Sequence, residues 1–368
     1  MEICQIRYRM GYFFLTASLI LLIMQVIIGL WFYFIFPPIG WKIPAVVLPV
    51  LLTAFVPLTM AYTRTHYGTL ESVVYYVAYI WCGLVFIFCF FVLVFALLQG
   101  ITSLFHLHTQ PLFKWLSLST FFVVTVLSLW GGFSSPKIKH ISVSIPNAPK
   151  LTVAIISDTH LGEGVSLARW KKALAQIQAQ QPDIILVLGD IFEYGMYPQS
   201  YADALKNLKT PSGTYGVFGN HEYYMGYQNS LNFYKQAGIS LLQNELIKLP
   251  NGLQIIGVND IKTTSLTADK LDALLEKSDA ASTRILLSHQ PLLTDTVAQH
   301  KIPLMLSGHT HAGQIFPFNL LVKLVYPYDY GLYQVSTHSQ LYVTSGMFYW
   351  GMPLRLFAPA EIPILHIN

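Results

Sequence analysis

The sequence is short of charge. Asp, Glu, Lys and Arg make up 11% of its 368 residues, whereas a soluble domain carries about a quarter. That excludes one ordinary globular unit. The deficit is local: charges almost vanish from Met1 to about Phe133 and return after Ser135. Cysteine is scarce too, and Cys4, Cys82 and Cys89 all fall in the apolar half. No disulfide framework can support the second half, and any metal there must be held by nitrogen and oxygen rather than by thiolate. A net charge of +4 gives no argument for nucleic acid, and no such partner is expected. Internal repeats and low-complexity tracts are absent.

What the first half has is long apolar runs. Four of them, at roughly 11–36, 43–61, 73–98 and 112–133, reach the length of about 20 residues that a bilayer crossing takes. Pro49 and Pro57 are expected to kink the second. Arg7 and Arg9 precede the first run as in a signal peptide, but WFYFIFPP offers no small-residue cleavage site, so the run reads as a retained helix. Arg7, Arg9, Arg64, Lys137 and Lys139 would share one side of the membrane, against Lys42 and Lys114 on the other. That bias puts both termini in the cytoplasm. No cluster of ionisable residues lies within the runs, as a transporter would need; His106 and His108 fall in a connecting loop. The expectation is a transmembrane helical domain of four helices over residues 1–134, acting as an anchor in the cytoplasmic (inner) membrane.

GGFSSP at 131–136 is the expected hinge into a second domain, residues 135–368. Short apolar runs at 151–157, 183–188, 214–218, 254–258, 284–288, 303–307 and 341–345 read as buried strands, after a partly alternating one near 138–145. Helical patterns separate them. One starts at the N-cap Ser166 with Leu167, Trp170, Leu174 and Ile177 on one face, one spans about 267–277, and one stops at Gly238. Alternation of this kind argues for a layered α/β domain.

Polar residues fall just past these runs: Asp158 and His160 in SDTH, Asp190 in GD, Asn220 and His221 in GNHE, His289 after LLS, and His309 and His311 in GHTH. Each alone has a plain explanation, a turn or a hydrogen-bonded structural histidine. Together, in order and each past a strand, they deliver Asp, Asn and His to the edge where α/β sheets gather ligands. These types suit a pair of divalent ions. A carboxylate can bridge two ions, imidazole favours zinc and iron, and carboxylate and amide oxygens admit manganese. Two such ions clamp the attacking and leaving oxygens of an in-line displacement and acidify water toward neutral pH.

The ordered set D-x-H, GD, GNHE, strand-terminal H and GHTH closely resembles the calcineurin-like metallophosphoesterase superfamily, over roughly residues 138–368. The resemblance implies a sandwich of two mixed sheets flanked by helices. It implies that Asp158, His160 and His311 hold one metal, that Asn220, His289 and His309 hold the other, and that Asp190 bridges them. His221 would not bind metal but would stabilise the phosphoryl oxygens or protonate the leaving group. Gly219 and Gly308 would relieve crowding beside the ions. The C-terminal stretch 351–362 also looks like the membrane-associated bacterial branch, which includes hydrolases of UDP-diacylglucosamine. Ala312, Ser345 and Glu193 depart from that branch, which commonly has Gly, Arg and Asp at these places.

Aromatic and aliphatic residues crowd the motifs: Tyr223, Tyr224, Met225 and Tyr227; Phe316, Phe318, Leu320, Leu321, Leu324, Val325, Tyr326, Tyr328 and Tyr330; and Met347, Phe348, Tyr349 and Trp350. They read either as a loop layer packed on its own sheet or helices, or as an apolar rim that meets the membrane interface and accepts acyl chains. The expected activity is hydrolysis of a phosphoester or pyrophosphate, with a membrane lipid as one candidate substrate. The rival is a catalytically silent membrane sensor or scaffold that keeps the fold; a silent descendant usually loses a ligand, and none is missing here.

Overall fold

Runs of apolar residues with few polar interruptions make long helices in the first half. In the computed structural model, which describes residues 2–35, 44–63, 66, 68–193, 199–224 and 226–368, these are α1 (Glu2–Ile35), α2 (Pro44–Thr63), α3 (Thr69–Ser103) and α4 (Gln110–Phe133). Lys42, Arg64 and Met225 lie outside the described residues, as do the side chains of Cys4, Arg7 and Arg9. Among the described residues, three stretches are long and apolar enough to cross a membrane: Leu15–Phe34, Thr69–Ser103 and Gln110–Phe133. In α2 the described apolar stretch, Leu51–Thr63, is shorter. Pro49 and Pro57 do not interrupt α2. A buried hydrogen bond from Gln25 to Thr53 (2.9 Å) links α1 to α2, the kind of polar contact that joins helices where water is absent.

The chain divides into two compact units, residues 1–133 with 352–356, and residues 134–351 with 357–368. Gly131 and Gly132, expected at a hinge, instead lie inside α4. A Cβ on Gly132 would stand 2.1 Å from the Pro353 carbonyl oxygen, and one on Gly131 2.2 Å from that of Arg355. These glycines therefore admit the backbone of 352–356, whose Arg355 N–H donates to the Ser128 carbonyl at 2.8 Å.

The second unit holds two six-stranded mixed sheets. Its strands in chain order are β1 (Lys137–Val143), β2 (Leu151–Ile156), β3 (Ile184–Val187), β4 (Thr214–Gly216), β5 (Ser240–Leu241), β6 (Glu245–Lys248), β7 (Gln254–Gly257), β8 (Arg284–Leu287), β9 (Leu304–Ser307), β10 (Gly331–Ser336), β11 (Ser339–Val343) and β12 (Glu361–Ile367). One sheet runs β1-β12-β2-β3-β4-β5, the other β10-β11-β9-β8-β7-β6. The helices are α5 (Leu167–Ala179), α6 (Gln199–Lys206), α7 (Asn220–Tyr224), α8 (Tyr227–Ala237), α9 (Ile261–Thr264), α10 (Ala268–Leu275), α11 (Thr294–Gln299) and α12 (Phe318–Val325).

The period-2 alternation of strands builds the layers. In β2, Val153 and Ile155 join Ile285, Leu287, Leu304 and Leu306 in a core between the sheets. Ala154 and Ile156 face the other way, onto Trp170, Leu174 and Ile177 of α5 and Phe233 of α8. On the far sheet Leu286 and Met305 pack on Leu271 and Leu275 of α10 and Val297 of α11. Ser166 and Thr267 cap α5 and α10, and Gly238 ends α8 in the left-handed region (φ 74°). Of the two readings of the stretch after GHTH, a loop layer packed on its own sheet would be buried; residues 318–325 instead form α12, which has no buried residue. Met347, Phe348 and Tyr349, by contrast, are core.

Candidate metal centre

The buried strands end where the chemistry begins. Asp158 and His160 follow β2, Asp190 follows β3, Asn220 and His221 open α7 past β4, His289 follows β8, and His309 and His311 follow β9. Strands of both sheets thus point their carboxyl ends at one crevice. Backbone bonds lace these loops: Asp158 N–H to Gly189 O (3.1 Å), His160 N–H to Asp190 O (3.1 Å) and Gly308 N–H to His289 O (2.9 Å). Asp158, His160, Asp190, His309 and His311 all carry φ between 41° and 72°. Left-handed backbone in such residues persists only where the surroundings over-determine it, typically at functional sites. Gly219 and Gly308 let the chain come close: added Cβ atoms would lie 2.2 Å from Asp190 Oδ1 and 2.2 Å from Asp158 Oδ2.

Three imidazoles, those of His160, His289 and His309, are each held through one nitrogen. His160 Nδ1 donates to Glu193 Oε2 (2.7 Å), and His289 Nδ1 to the Leu188 carbonyl (2.8 Å). His309 Nε2 meets the Tyr326 hydroxyl at 2.9 Å. The other nitrogens then present lone pairs to one another: His160 Nε2 is 3.0 Å from His311 Nε2, and His309 Nδ1 is 3.2 Å from His289 Nε2. Facing lone pairs repel unless a proton or a metal cation lies between them. Asp190 Oδ2 stands 3.1 Å from His289 Nε2 and 3.9 Å from His160 Nε2, while Oδ1 accepts from the His221 N–H (2.9 Å). Asp158 Oδ1 lies 3.4 Å from His311 Nε2, and the carboxylate also accepts from Ser157 Oγ and the His309 N–H. Asn220 Oδ1 is buried and meets no hydrogen-bond donor among the described residues, a cost that a cation would remove.

Carboxylates and imidazoles shift one another here, and a proton on His289 takes the place that a cation would fill. Burial opposes ionisation of Asp190, yet His289, His221 and His160 hold its carboxyl well below the usual range. Burial likewise opposes charge on His289, and Asp190 overrides it, raising the imidazole well above its ordinary value. Burial, then the neighbouring His289, drives His309 down to about 3, which keeps its lone pair free. Burial also lowers His221, against the pull of Asp190 and Glu193.

Among the described residues, seven of the eight expected at the site fall in three groups that could each hold a metal ion: Asp158 with His160 and His311, His160 with Asp190 and His221, and Asp190 with His289 and His309. The middle group includes His221, which the resemblance had kept off the metals. Three supporting residues had gone without a role. Glu222 accepts from the N–H groups of Asp190 (2.9 Å), Ile191 (2.7 Å) and Gly219 (2.7 Å), pinning the β3 and β4 loops together. Burial, then the Asp190 charge, pushes its carboxyl up to about 7. Glu193, a departure from the branch pattern, orients His160 and stands 3.5 Å from His221 Nδ1. Tyr326 receives a hydrogen bond from Lys262 (2.9 Å) and meets His309. Orienting partners of this kind set ligand affinity, so Tyr326→Phe is expected to weaken metal retention by about 10–100-fold, as read by metal content after graded chelator dialysis.

Ala312 and Ser345 have local accounts. Ala312 sits at φ 51°, ψ 28°, a conformation glycine takes without penalty. Ala312→Gly should therefore raise stability by about 0.5–1 kcal/mol, seen as a higher unfolding midpoint. Ser345 is buried and donates to the Pro359 carbonyl (2.5 Å). Trp350 rims the site 6.0 Å from the His221 ring, its backbone bonded twice to Gln314 (2.8 and 3.1 Å).

The chain is similar to known proteins. A family model described as calcineurin-like phosphoesterase matches residues 151–313. The chain is similar to a metallophosphoesterase of Helicobacter pylori strain J99, 37% identical over 256 residues covering 67% of this chain and 69% of the relative. It is also similar to a zebrafish (Danio rerio) transmembrane protein with a metallophosphoesterase domain, 30% identical over 258 residues, covering 65% of this chain and 59% of the relative. Among solved structures, a dimetal phosphatase from Danio rerio aligns with TM-score 0.37 and 14% identity, covering 54% of this chain and 88% of that one.

Proposed function

Because the chain belongs to the calcineurin-like metallophosphoesterases, a family of metal-dependent phosphoester hydrolases, we propose that it is a membrane-anchored dimetal hydrolase whose substrate is a lipid-linked phosphoester or pyrophosphate. Asp158, His160 and His311 would hold one divalent ion, Asn220, His289 and His309 the other, and Asp190 would bridge them. The observation that carries this reading is the position of Asp190 Oδ2, 3.1 Å from His289 Nε2 and 3.9 Å from His160 Nε2. The donor set suits Mn, Fe or Zn. Such ions supply Lewis acidity toward a phosphoryl oxygen and acidify water toward neutral pH.

The chain's own residues do the rest. Glu193 and the Leu188 carbonyl fix the rings of His160 and His289, so that their free nitrogens keep one direction. His221, beside Glu193 and Trp350, holds a proton for the leaving oxygen or a hydrogen bond to the phosphoryl group. Residues 1–134 form the anchor, with α2 as a fourth span, and 135–368 the hydrolase, placed in the cytoplasm by the Lys/Arg bias.

Metal quantification on the purified chain, with turnover of a lipid-linked phosphoester and of its soluble headgroup, tests the proposal. Close to two ions per chain and faster turnover of the lipid form are expected. Equal rates on both would remove the lipid from the reading, and protein without bound metal would remove the centre.

A further inference from the structure

Helix α12 has the wrong surface for a soluble protein. Its sequence is FNLLVKLV, and Leu320, Leu321, Leu324 and Val325 are exposed to 54%, 51%, 82% and 59%. Contiguous exposed aliphatic residues need a partner. Lys323, the one charge in the helix, has an exposed side chain that reaches toward Asp329 (3.9 Å). A lone lysine among leucines can keep its stem in apolar surroundings and its ammonium in water. Phe357, 74% exposed, stacks edge-on with Phe316, two residues before the helix.

The helix is built into the metal centre at both ends. At its start, Gly313 of the turn that carries His311 has room for no Cβ, since one would stand 2.1 Å from the Asn319 Cα. At its finish, the C-cap is Tyr326, whose hydroxyl meets His309 Nε2 at 2.9 Å. Whatever covers α12 therefore lies beside the turns that carry His309 and His311.

We infer that α12 docks on the bilayer, with Leu320, Leu321, Leu324 and Val325 among the upper acyl chains, and that it presents lipid-borne phosphoesters to the metal centre. A lipid surface is the occupant the chain itself supplies. Three of its stretches are long and apolar enough to cross a membrane. The last of them ends at Phe133, and β1 begins at Lys137. A linker that short reaches at most about 14 Å when extended, so it tethers the start of β1 close to the end of α4. Short amphipathic helices with aliphatic and basic residues lie in that interface. The inference rests on the membrane-anchored reading above and adds the surface by which the site meets its substrate.

The test places nitroxide labels on the full chain in lipid vesicles, after the three native cysteines are changed to serine. Labels go at Leu324→Cys on α12, at Leu93→Cys in α3 and at the exposed Lys248→Cys on β6. Accessibility to oxygen, which concentrates in lipid, is compared with accessibility to a polar nickel complex. The Leu324 label should favour oxygen as the Leu93 label does, with a several-fold shift in the oxygen-to-nickel ratio relative to Lys248. A Leu324 label that behaves like Lys248 would overturn the inference while leaving the anchor and the hydrolase standing. A label shielded from both reagents would overturn it too, by showing that a second copy or another protein covers α12. If the Leu93 label also favours nickel, the anchor reading fails and takes the docking with it. None of these readouts depends on turnover, so an inactive preparation does not blur them.

Discussion

Replacing Asp190 with asparagine is expected to abolish hydrolysis, by about 10³-fold or more, and to loosen both metal positions at once. The reason is the place of this carboxylate. It is 3% exposed, and it belongs to two of the three groups able to hold an ion. Asparagine has the same shape, and its Oδ1 can still accept from the His221 N–H. What it lacks is the charge that would balance the two dications of the proposed centre, and a second anionic oxygen beside His289 Nε2. Changing a residue that merely orients a ligand costs about 10–100-fold in affinity; removing a shared ligand should cost more, for both ions. Metal analysis reads this directly, and an unchanged unfolding midpoint for the metal-free protein shows that the fold is not the cause. A variant that keeps two tightly held ions would remove the bridge from the reading.

Much of this centre is legible in the sequence because its residues follow strands that are easy to see. β2, β3, β7, β8 and β9 are runs of apolar residues buried on both faces, and each announces where the chain emerges. Edge strands are quieter. β6 reads Glu-Leu-Ile-Lys and β10 alternates exposed with half-buried residues, so neither has an apolar run to find. β12 is hidden by Pro363, which cannot donate to a ladder; it pairs with Lys139 on β1, and pairing with β2 begins only at Ile364. Helix α12 is illegible for another reason. Its apolar residues read either as a buried layer or as an exposed rim, and only the fold shows which. The supporting residues Glu193, Glu222 and Tyr326 act across contacts that no local pattern encodes: Glu193 meets a histidine 33 positions away, and Glu222 binds backbone 31 and 32 positions away.

The replacement of His221 by alanine should separate proton chemistry from metal binding. His221 stands in one of the possible ligand groups, with His160 and Asp190. Two carboxylates also face it: Glu193 Oε2 lies 3.5 Å from its Nδ1, and Asp190 and Glu193 partly offset the burial that lowers its affinity for a proton. A positioned general acid contributes about 10²–10⁴-fold, so kcat should fall by that order while two ions per chain remain. The loss should also depend on the leaving group. An aryl ester whose phenolate departs without help should lose little, whereas an alkyl ester, whose alkoxide needs a proton, should lose most of its rate. A merely structural histidine would depress both substrates alike. A His221→Ala protein that binds a single ion would instead make His221 a ligand, and Asp190, His160 and His221 would then form a metal position of their own.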